Sequence, residues 1–199
     1  MTSDWQRMRT TFRHGNLVEA LLDAALARLE AAGADSLSLR ELARDAGVNH
    51  RAVYRHFPDK LSLLARVAEE GWKRLASRMQ ARISERRRGE ASAVASGVAF
   101  FLFAREHPSL FRLMGGPGLS TAGRFPALST AVDQTLLILM QGFLDAGTDP
   151  KVAYKRAVVF AAALQGVTLQ ILQHRYRVSP GKVEEEVAQI CKMLIKGLR

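Results

Sequence analysis

The tightest constraint on the fold lies in residues 38–60, where two short helical patterns meet at a single glycine, Gly47. Ser38 is a favourable helix cap, and Glu41 three residues later completes the spacing of a capping box. The first pattern stops at Gly47, where a helix end favours a residue that adopts the left-handed conformation. Asn49, another good cap, predicts the start of a second short helix. Two short helices joined by so tight a turn predict a helix-turn-helix.

The apolar residues of the same segment fall on one side of the two predicted helices. Ala43, four residues before Gly47, is small enough to let the helices approach closely, and the glycine relieves strain in the turn. We expect this apolar side to pack on an earlier helix, predicted over residues 17–32. The residues that form it are Leu39, Leu42, Ala46, Val48, Val53 and Phe57.

The opposite face of the second short helix has cationic and aromatic side chains and no carboxylate. Steps of three and four residues place His50, Arg51, Tyr54 and Arg55 together on it. Arginine forms paired hydrogen bonds with guanine, and tyrosine contacts a thymine methyl group or a phosphate. The face is therefore typical of a helix that enters the major groove of DNA. A solvated face of a small helical bundle is the alternative interpretation.

The remaining sequence repeats the helical period throughout, with no convincing strand and no internal repeat. Apolar residues recur at three- and four-residue steps, and glycines and prolines separate the segments. The predicted fold class is all-α. Beyond the first three helices, we predict a long helix from about residue 60 to 87 and further helices at residues 91–106, 108–114, 126–146, 150–176 and 180–197.

Charge and cysteine content limit the classes of function. The net charge of +10 favours polyanionic partners, but residues 1–90 and residues 91–199 carry the same basic excess, so charge alone does not locate the binding surface. Residues 1–15 contain three arginines and one aspartate, which predicts a basic arm. The single cysteine, Cys191, excludes an internal disulfide and a cysteine metal cluster.

No enzymatic constellation is apparent, and we expect neither catalytic residues, nor a metal site, nor a cofactor. The five histidines lack the spacing of a zinc-binding HExxH motif. The glycine-rich residues 115–118 follow a predicted helix and lack the Lys-Ser/Thr pair of a phosphate-binding loop. An enzyme remains the rival class, and steeply salt-dependent DNA binding would separate the two. With no signal-peptide run and no uninterrupted apolar span, we expect a cytoplasmic protein and no membrane partner.

Residues 38–60 resemble the DNA-binding domain of the tetracycline-repressor (TetR-type) family. The family pattern is Thr/Ser-x-Arg, then Ala-x-x-x-Gly-Val, then Tyr-x-x-Phe and a lysine. Residues 12–17 are also similar to the aromatic-x-His-Gly-Asn-Leu start of one subset of the family. The matching positions are Ser38, Arg40, Ala43, Gly47, Val48, Tyr54, Phe57 and Lys60.

The resemblance implies roles for individual residues on DNA. Ser38 and Arg40, at the start of the first short helix, would contact phosphate, or phosphate and a base. The residues expected to face base edges are His50, Arg51 and Arg55, and those expected to anchor the backbone are Tyr54, His56 and Lys60. The positions of His50 and Arg51 vary within the family, so no operator sequence carries over.

The resemblance further implies a domain division and a mechanism. Residues 1–60 would form the DNA-binding domain, residues 61–88 a connecting helix, and residues 89–199 a ligand-binding and dimerisation domain. A small, largely apolar inducer would then release a repressor from a palindromic operator, by shifting the connecting helix. The residues expected to wall its pocket are Trp72, Phe100, Phe103, His107, Phe111, Met114, Met140 and Phe143. Ordinary core packing is the alternative for each of them.

The same resemblance implies a homodimer through the last two helices. Each of them has an apolar face, which we predict to pair with a second copy, with packing inside one chain as the alternative. The residues of these faces are Ala157, Phe160, Ala161, Leu164, Val167, Thr168, Ile171 and Leu172, then Val183, Val187, Ile190, Cys191, Leu194, Ile195 and Leu198. A DNA-organising helix-turn-helix protein without a small-molecule effector remains the alternative function.

Overall fold

The structure of the protein is a computed structural model that describes residues 17–83, 88–116, 118–119, 123–179 and 181–198. These residues form nine α-helices, a short 3₁₀ turn at Ala34–Ser36 and no strand, so the all-α prediction is confirmed. The predicted basic arm, residues 12–16 of the family resemblance and residues 84–87 of the predicted connecting helix lie outside the described residues. The helices are α1 (Leu17–Ala32), α2 (Leu39–Asp45), α3 (His50–His56), α4 (Lys60–Arg82), α5 (Glu90–Glu106), α6 (Pro108–Met114), α7 (Pro126–Asp145), α8 (Pro150–Leu172) and α9 (Val183–Gly197).

Most helix boundaries follow the predicted signals, and the end of α8 does not. The helix stops at Leu172, four residues before the predicted end, and α9 begins at Val183 rather than at residue 180. His174 has a φ of 57°, a left-handed backbone conformation that residues other than glycine seldom adopt. The backbone N–H of Arg175 then donates to the carbonyl of Gln170 at 2.9 Å, which closes the helix end. Because no glycine stands there, the sequence contained no signal for this stop.

Helix α5 is the centre of the C-terminal part of the chain. It packs against α4, α7, α8 and α9, and nearly all its residues between Ser92 and Ala104 are buried. Helix α6 lies against α1 and α4, and α7 packs mainly on α4 and α8. The N-terminal helices α1–α3 therefore reach the rest of the chain through α4 and α6.

The apolar faces predicted for dimerisation pack largely inside the chain. Ala157, Phe160, Leu164 and Thr168 of α8 are buried, as are Val187, Cys191 and Ile195 of α9. The assignment of these seven to the interface is wrong, because a side chain already covered within one chain has no surface left for a partner. The other eight predicted residues are half-buried, and their role in an interface stays a prediction. α8 covers α7 and part of α5, and α9 covers α5, and the period of a helix does not tell which neighbour covers a face.

The closest packing in this region joins α5 to α9. A Cβ atom added at Gly97 would lie 2.5 Å from the Sγ atom of Cys191 and 3.3 Å from the ring of Phe160. Burial also raises the pKa of the Cys191 thiol to about 12. Glycine is thus required at position 97 by space, and Cys191 acts as a small apolar side chain.

Gly97→Ala should lower the free energy of unfolding by roughly 1–3 kcal/mol, since the extra methyl group overpacks a closed junction. Denaturant unfolding of the single variants and of Gly97→Ala combined with Cys191→Ala measures the coupling. The second substitution removes the clashing sulfur, so we expect it to recover part of the loss. Strictly additive losses would contradict this packing.

Two of the described helices, α7 and α8, are long and apolar enough to cross a membrane by length and composition. Only 22% of the apolar window of α8 is buried in the single chain, whereas α5 is almost wholly covered. Core helices of ordinary proteins meet the same criterion, so the finding is weak evidence for a membrane. It does identify α8 as a helix with much apolar surface left uncovered.

Candidate nucleic-acid interface

The turn between α2 and α3 has the predicted geometry. Gly47 has a φ of 67°, which L-residues with side chains rarely adopt. The backbone N–H of Val48 donates to the carbonyl of Ala43 at 2.9 Å across the turn, and Ala43 is buried. Val53 of α3 and Phe57, which follows α3, are buried in the same core as α1 and α2, so the relative position of α2 and α3 is fixed by packing.

Helix α3 presents the predicted polar face to solvent. Its cap, Asn49, accepts a hydrogen bond from the backbone N–H of Arg51 at 2.9 Å, which fixes the start of the helix. Tyr54 is 42% exposed, a high value for so large a ring. No side chain of this face forms a hydrogen bond or ion pair within the described part of the chain. The exposed residues of the face are His50, Arg51, Tyr54, Arg55 and His56.

Arg40 and Ser38 at the start of α2 differ in exposure. Arg40 is exposed and lines, together with His50 and Arg51 of α3, a cavity of about 490 Å³ between the two helices. Ser38 is half-buried at the cap position and its side chain forms no capping hydrogen bond, so the predicted capping box is wrong. The helix nevertheless begins where predicted. The cavity has four basic lining side chains, since Arg44 of α2 also lines it, and all four therefore lie on one side of the helix-turn-helix.

Glu41, the other member of the predicted capping box, belongs to a cluster that the sequence analysis missed. Arg28 of α1 donates to the carbonyl of Ser36 at 3.0 Å, to Asp45 at 2.8 Å and to Glu41. One guanidinium thus holds α1 to both ends of α2. The only basic residue of α1 was the available signal, but its partner carboxylates are 13 and 17 residues away.

Lys60 has a contact within the chain as well as an exposed position. Its Nζ atom donates to the backbone carbonyl of Asp35 at 3.2 Å, which ties the start of α4 to the 3₁₀ turn. An ammonium group has three donors, so this bond leaves others for a phosphate oxygen. The phosphate role of Lys60 stays a prediction, now for a side chain that is already held in place.

Two polar contacts join the helix-turn-helix part to the rest of the chain. Glu30 of α1 accepts hydrogen bonds from the backbone N–H groups of Ser109 and Leu110 at 3.2 and 3.1 Å, at the start of α6. Arg124, just before α7, donates to Asp59 at 3.1 Å. Asp59 also caps α4 by accepting from the N–H of Ser62 at 2.7 Å. A movement of α6 would thus displace Glu30 of α1, and a movement of α7 would displace Asp59 at the start of α4.

The hydrogen bonds from Ser62, and with them Arg124, lower the pKa of the Asp59 carboxyl group. Since the folded-state pKa lies below the unfolded one, this carboxylate stabilises the fold above its unfolded pKa, and the contribution disappears as pH falls through the folded pKa. Asp59→Asn keeps a good cap but removes the charge. We expect its melting temperature to be below that of the wild type at neutral pH and to converge with it in acid. A gap that persists at acidic pH would contradict this assignment.

The predicted pocket residues fall into two groups. Phe100 and Phe111 meet edge to face with ring centroids 5.3 Å apart, and Phe103 lies 5.1 Å from the ring of His107. Met114 packs on Gly71, where an added Cβ atom would lie 2.7 Å from its sulfur.

On α7, Phe143 packs instead against Phe160 of α8 at 6.0 Å, and Met140 is half-buried nearby along the same helix. Trp72 of α4 is half-buried, and its indole N–H is covered without a hydrogen-bond partner among the described residues. The structure therefore pairs Phe100 with Phe111 and Phe103 with His107, and it places Phe143 beside α8. Whether they bind a ligand stays a prediction.

Family models match both parts of the chain. Residues 21–67 match the model described as "Bacterial regulatory proteins, tetR family". Residues 93–194 match "Tetracyclin repressor-like, C-terminal domain". The first match contains α2 and α3 entirely, and the second contains most of α5 and α9 with the helices between them.

Solved structures share the architecture over nearly the whole chain. A protein of unknown function from Rhodococcus sp. RHA1 is 28% identical, with a TM-score of 0.80 over 95% of this chain and 98% of that one. A TetR variant from Acinetobacter baumannii AYE, in complex with minocycline, is 21% identical, with a TM-score of 0.66 over 94% and 96%. A tetR-family transcriptional regulator from Streptomyces coelicolor is 20% identical, with a TM-score of 0.66 over 94% and 90%. At these last two identities the likeness concerns the fold.

Proposed function

Because the chain belongs to the tetR family of bacterial regulatory proteins, we propose that it is a sequence-specific repressor that binds a palindromic operator as a homodimer. A small, largely apolar effector would release it from DNA. The observation that carries the proposal is the solvent-facing side of α3, where Arg51, Tyr54 and Arg55 have no partner among the described residues. A face of this kind is complementary to base edges and phosphates.

The proposed contacts with DNA divide into two kinds. His50, Arg51 and Arg55 would read base edges, since they project from a helix held rigidly by the turn at Gly47. The residues proposed to position the protein on the phosphate backbone are Ser38, Arg40, Tyr54, His56 and Lys60. Base contacts would set the operator sequence, and backbone contacts would set the affinity common to all sequences.

The proposed dimer forms through α8 and α9, with exposed apolar residues that the sequence prediction did not include. Val159 of α8 is 50% exposed and Met193 of α9 is 72% exposed, which leaves large apolar side chains in water. The same side of α8 has Ala162 and Gly166, and nothing lies within 4 Å of a Cβ added at Gly166. Small residues among exposed apolar ones permit close helix packing, and a second copy would cover this face. The uncovered apolar surface of α8 is then an interface rather than a membrane span.

The proposed effector site includes the aromatic group on α5 and α6 and the covered indole N–H of Trp72. A ligand acceptor atom at that N–H would satisfy a donor that otherwise lacks a partner, which supports a polar contact there. An effector that separates α4 from α6 would act at the Met114–Gly71 contact and move α4. It would have to bind the released conformation more tightly than the DNA-bound one.

Family members are generally non-enzymatic, and for this chain we propose a cytoplasmic regulator without catalytic activity. The division into residues 1–60, 61–88 and 89–199 is part of the same proposal. α4 (Lys60–Arg82) would serve as the connecting helix.

Site selection with the purified full-length protein tests the proposed function. The protein is incubated with random duplexes, and bound sequences are recovered and sequenced. We expect an inverted repeat whose half-sites lie about one helical turn, or a multiple of one turn, apart. Recovery of DNA with no shared sequence would overturn the proposal of a regulator that reads an operator.

A further inference from the structure

A second cavity, of about 720 Å³, lies on the side of the C-terminal part where α5, α6 and the α8–α9 connection meet. Its size is within the range of small-molecule sites. Phe101 of α5, Leu169 and Leu172 of α8, and Val183 of α9 are among its lining residues. It shares none of the eight residues predicted for the effector pocket. It is therefore a separate candidate binding site with an apolar floor.

The charged groups of this cavity all have the same sign. Arg105 of α5, Arg112 of α6 and Arg177 of the connection line it, together with His174, and no carboxylate is among its lining residues in the described part of the chain. Arg105 and Arg177 form no hydrogen bond or ion pair within the part of the chain that is described, and Arg112 reaches only Ser109 Oγ at 3.4 Å. All three arginines are exposed at the cavity, and a bound anion would meet cationic donors from three separate segments of the chain.

The backbone of the connection supports a role beyond packing. His174, whose φ is 57°, lies in this cavity wall, next in the chain to the closure of α8. A non-glycine residue in the left-handed region costs free energy and persists where the surroundings require it. Here the left-handed turn directs Tyr176 and Arg177 to the cavity rather than continuing α8.

We propose that this cavity binds a small amphipathic organic anion, with its apolar body on Phe101, Leu169 and Leu172 and its anionic group between Arg105, Arg112 and Arg177. Arginine pairs with a carboxylate through two parallel hydrogen bonds, which suits a monocarboxylate. The volume limits the ligand to one drug-sized body or a single alkyl chain.

The position of α6 gives this site a direct route to the DNA-binding part. Pro108 and Arg112 of α6 line the cavity, and between them Ser109 and Leu110 donate their backbone N–H groups to Glu30 of α1. A ligand that draws Arg112 inward would act on a seven-residue helix that also contacts the helix-turn-helix part. Binding of the anion does not depend on the proposed function. Any effect of the anion on DNA affinity does rest on the proposed function.

Calorimetric titration of the full-length protein with decanoate, below its micelle concentration, tests the site, with decan-1-ol as the uncharged control ligand. We expect decanoate to bind at least about tenfold more tightly than the alcohol, because charged hydrogen bonds contribute most of the difference. The double variant Arg112→Gln with Arg177→Gln should lose about tenfold in decanoate affinity and little in alcohol affinity. Arg88→Gln, at an exposed arginine outside the cavity, should change neither.

Equal affinities for decanoate and decan-1-ol in the wild-type protein would overturn the proposal without reference to any variant. An unchanged decanoate affinity in the folded double variant would overturn it as well, since the anion would then bind elsewhere. Operator binding by the same samples separates this outcome from failure of the proposed function. A protein that selects an operator but does not distinguish the two ligands lacks this site and keeps its proposed function.

Discussion

The double variant Arg51→Ala with Arg55→Ala should bind the selected operator at least about 100-fold more weakly than the wild type. Each paired contact between an arginine and a base discriminates by about 1–3 kcal/mol, and every 1.4 kcal/mol is a factor of ten. Both side chains are exposed on α3 and have no partner within the described residues, so their removal should leave the fold intact. The loss should be much smaller on a scrambled duplex, because base contacts add little to non-specific binding.

Fluorescence anisotropy with the two duplexes at one salt concentration measures this effect. Arg88→Ala is the matched control for the removal of positive charge, because Arg88 is exposed and precedes α5, outside the helix-turn-helix part. An equal loss on operator and scrambled DNA would mean that Arg51 and Arg55 contact only phosphates. An unchanged operator affinity would place the DNA-binding surface elsewhere.

Val159→Glu should separate the proposed dimer into monomers and thereby weaken operator binding by at least about 100-fold. A carboxylate buried without a partner costs several kcal/mol. We expect this cost to exceed the free energy of association that the shared apolar face supplies. Val159 is 50% exposed in the single chain, so the substitution places no charge in the core of the protomer. A monomer would hold one half-site at a time and lose the gain from binding both.

Sedimentation velocity gives the oligomeric state and anisotropy the operator affinity of the same samples. Leu137→Glu is the matched control, since Leu137 is 58% exposed on α7, away from the face formed by α8 and α9. We expect this control to keep the wild-type mass and affinity. A dimeric Val159→Glu variant would contradict the proposed interface, and a monomeric one with full operator affinity would contradict the need for pairing.

Local signals predicted the helix-turn-helix well, because that part of the fold is determined by a few neighbouring residues. Gly47 and Asn49 determine the structure at their own positions, Gly47 through a left-handed turn and Asn49 through a helix cap. The outward face of α3 followed from the helical period once Val53 and Phe57 were assigned to the core. Ser38 shows the limit of such signals, since Glu41 pairs with Arg28 of another helix rather than forming a capping box.

Contacts between distant segments could not be predicted from the sequence. The apolar faces of α8 and α9 were visible as periodic patterns, but periodicity does not show whether α5 or a second chain covers them. Glu30 and the backbone of α6 are about 80 residues apart, and nothing in either segment indicates the other. Arg177 lines the same cavity as Arg105 and Arg112 because the chain turns at His174, and no glycine or proline in the sequence indicates that turn.

The most direct test of operator recognition compares the affinities of the wild-type protein for its selected operator and for a scrambled duplex of equal length at physiological salt. We expect a ratio of at least about 10³, typical of specific regulators, with protein chains bound in pairs. A ratio near one, with an affinity that depends on the salt concentration and not on the DNA sequence, would contradict operator recognition. Such a result would instead indicate a DNA-organising protein that has the same helix-turn-helix but reads no sequence.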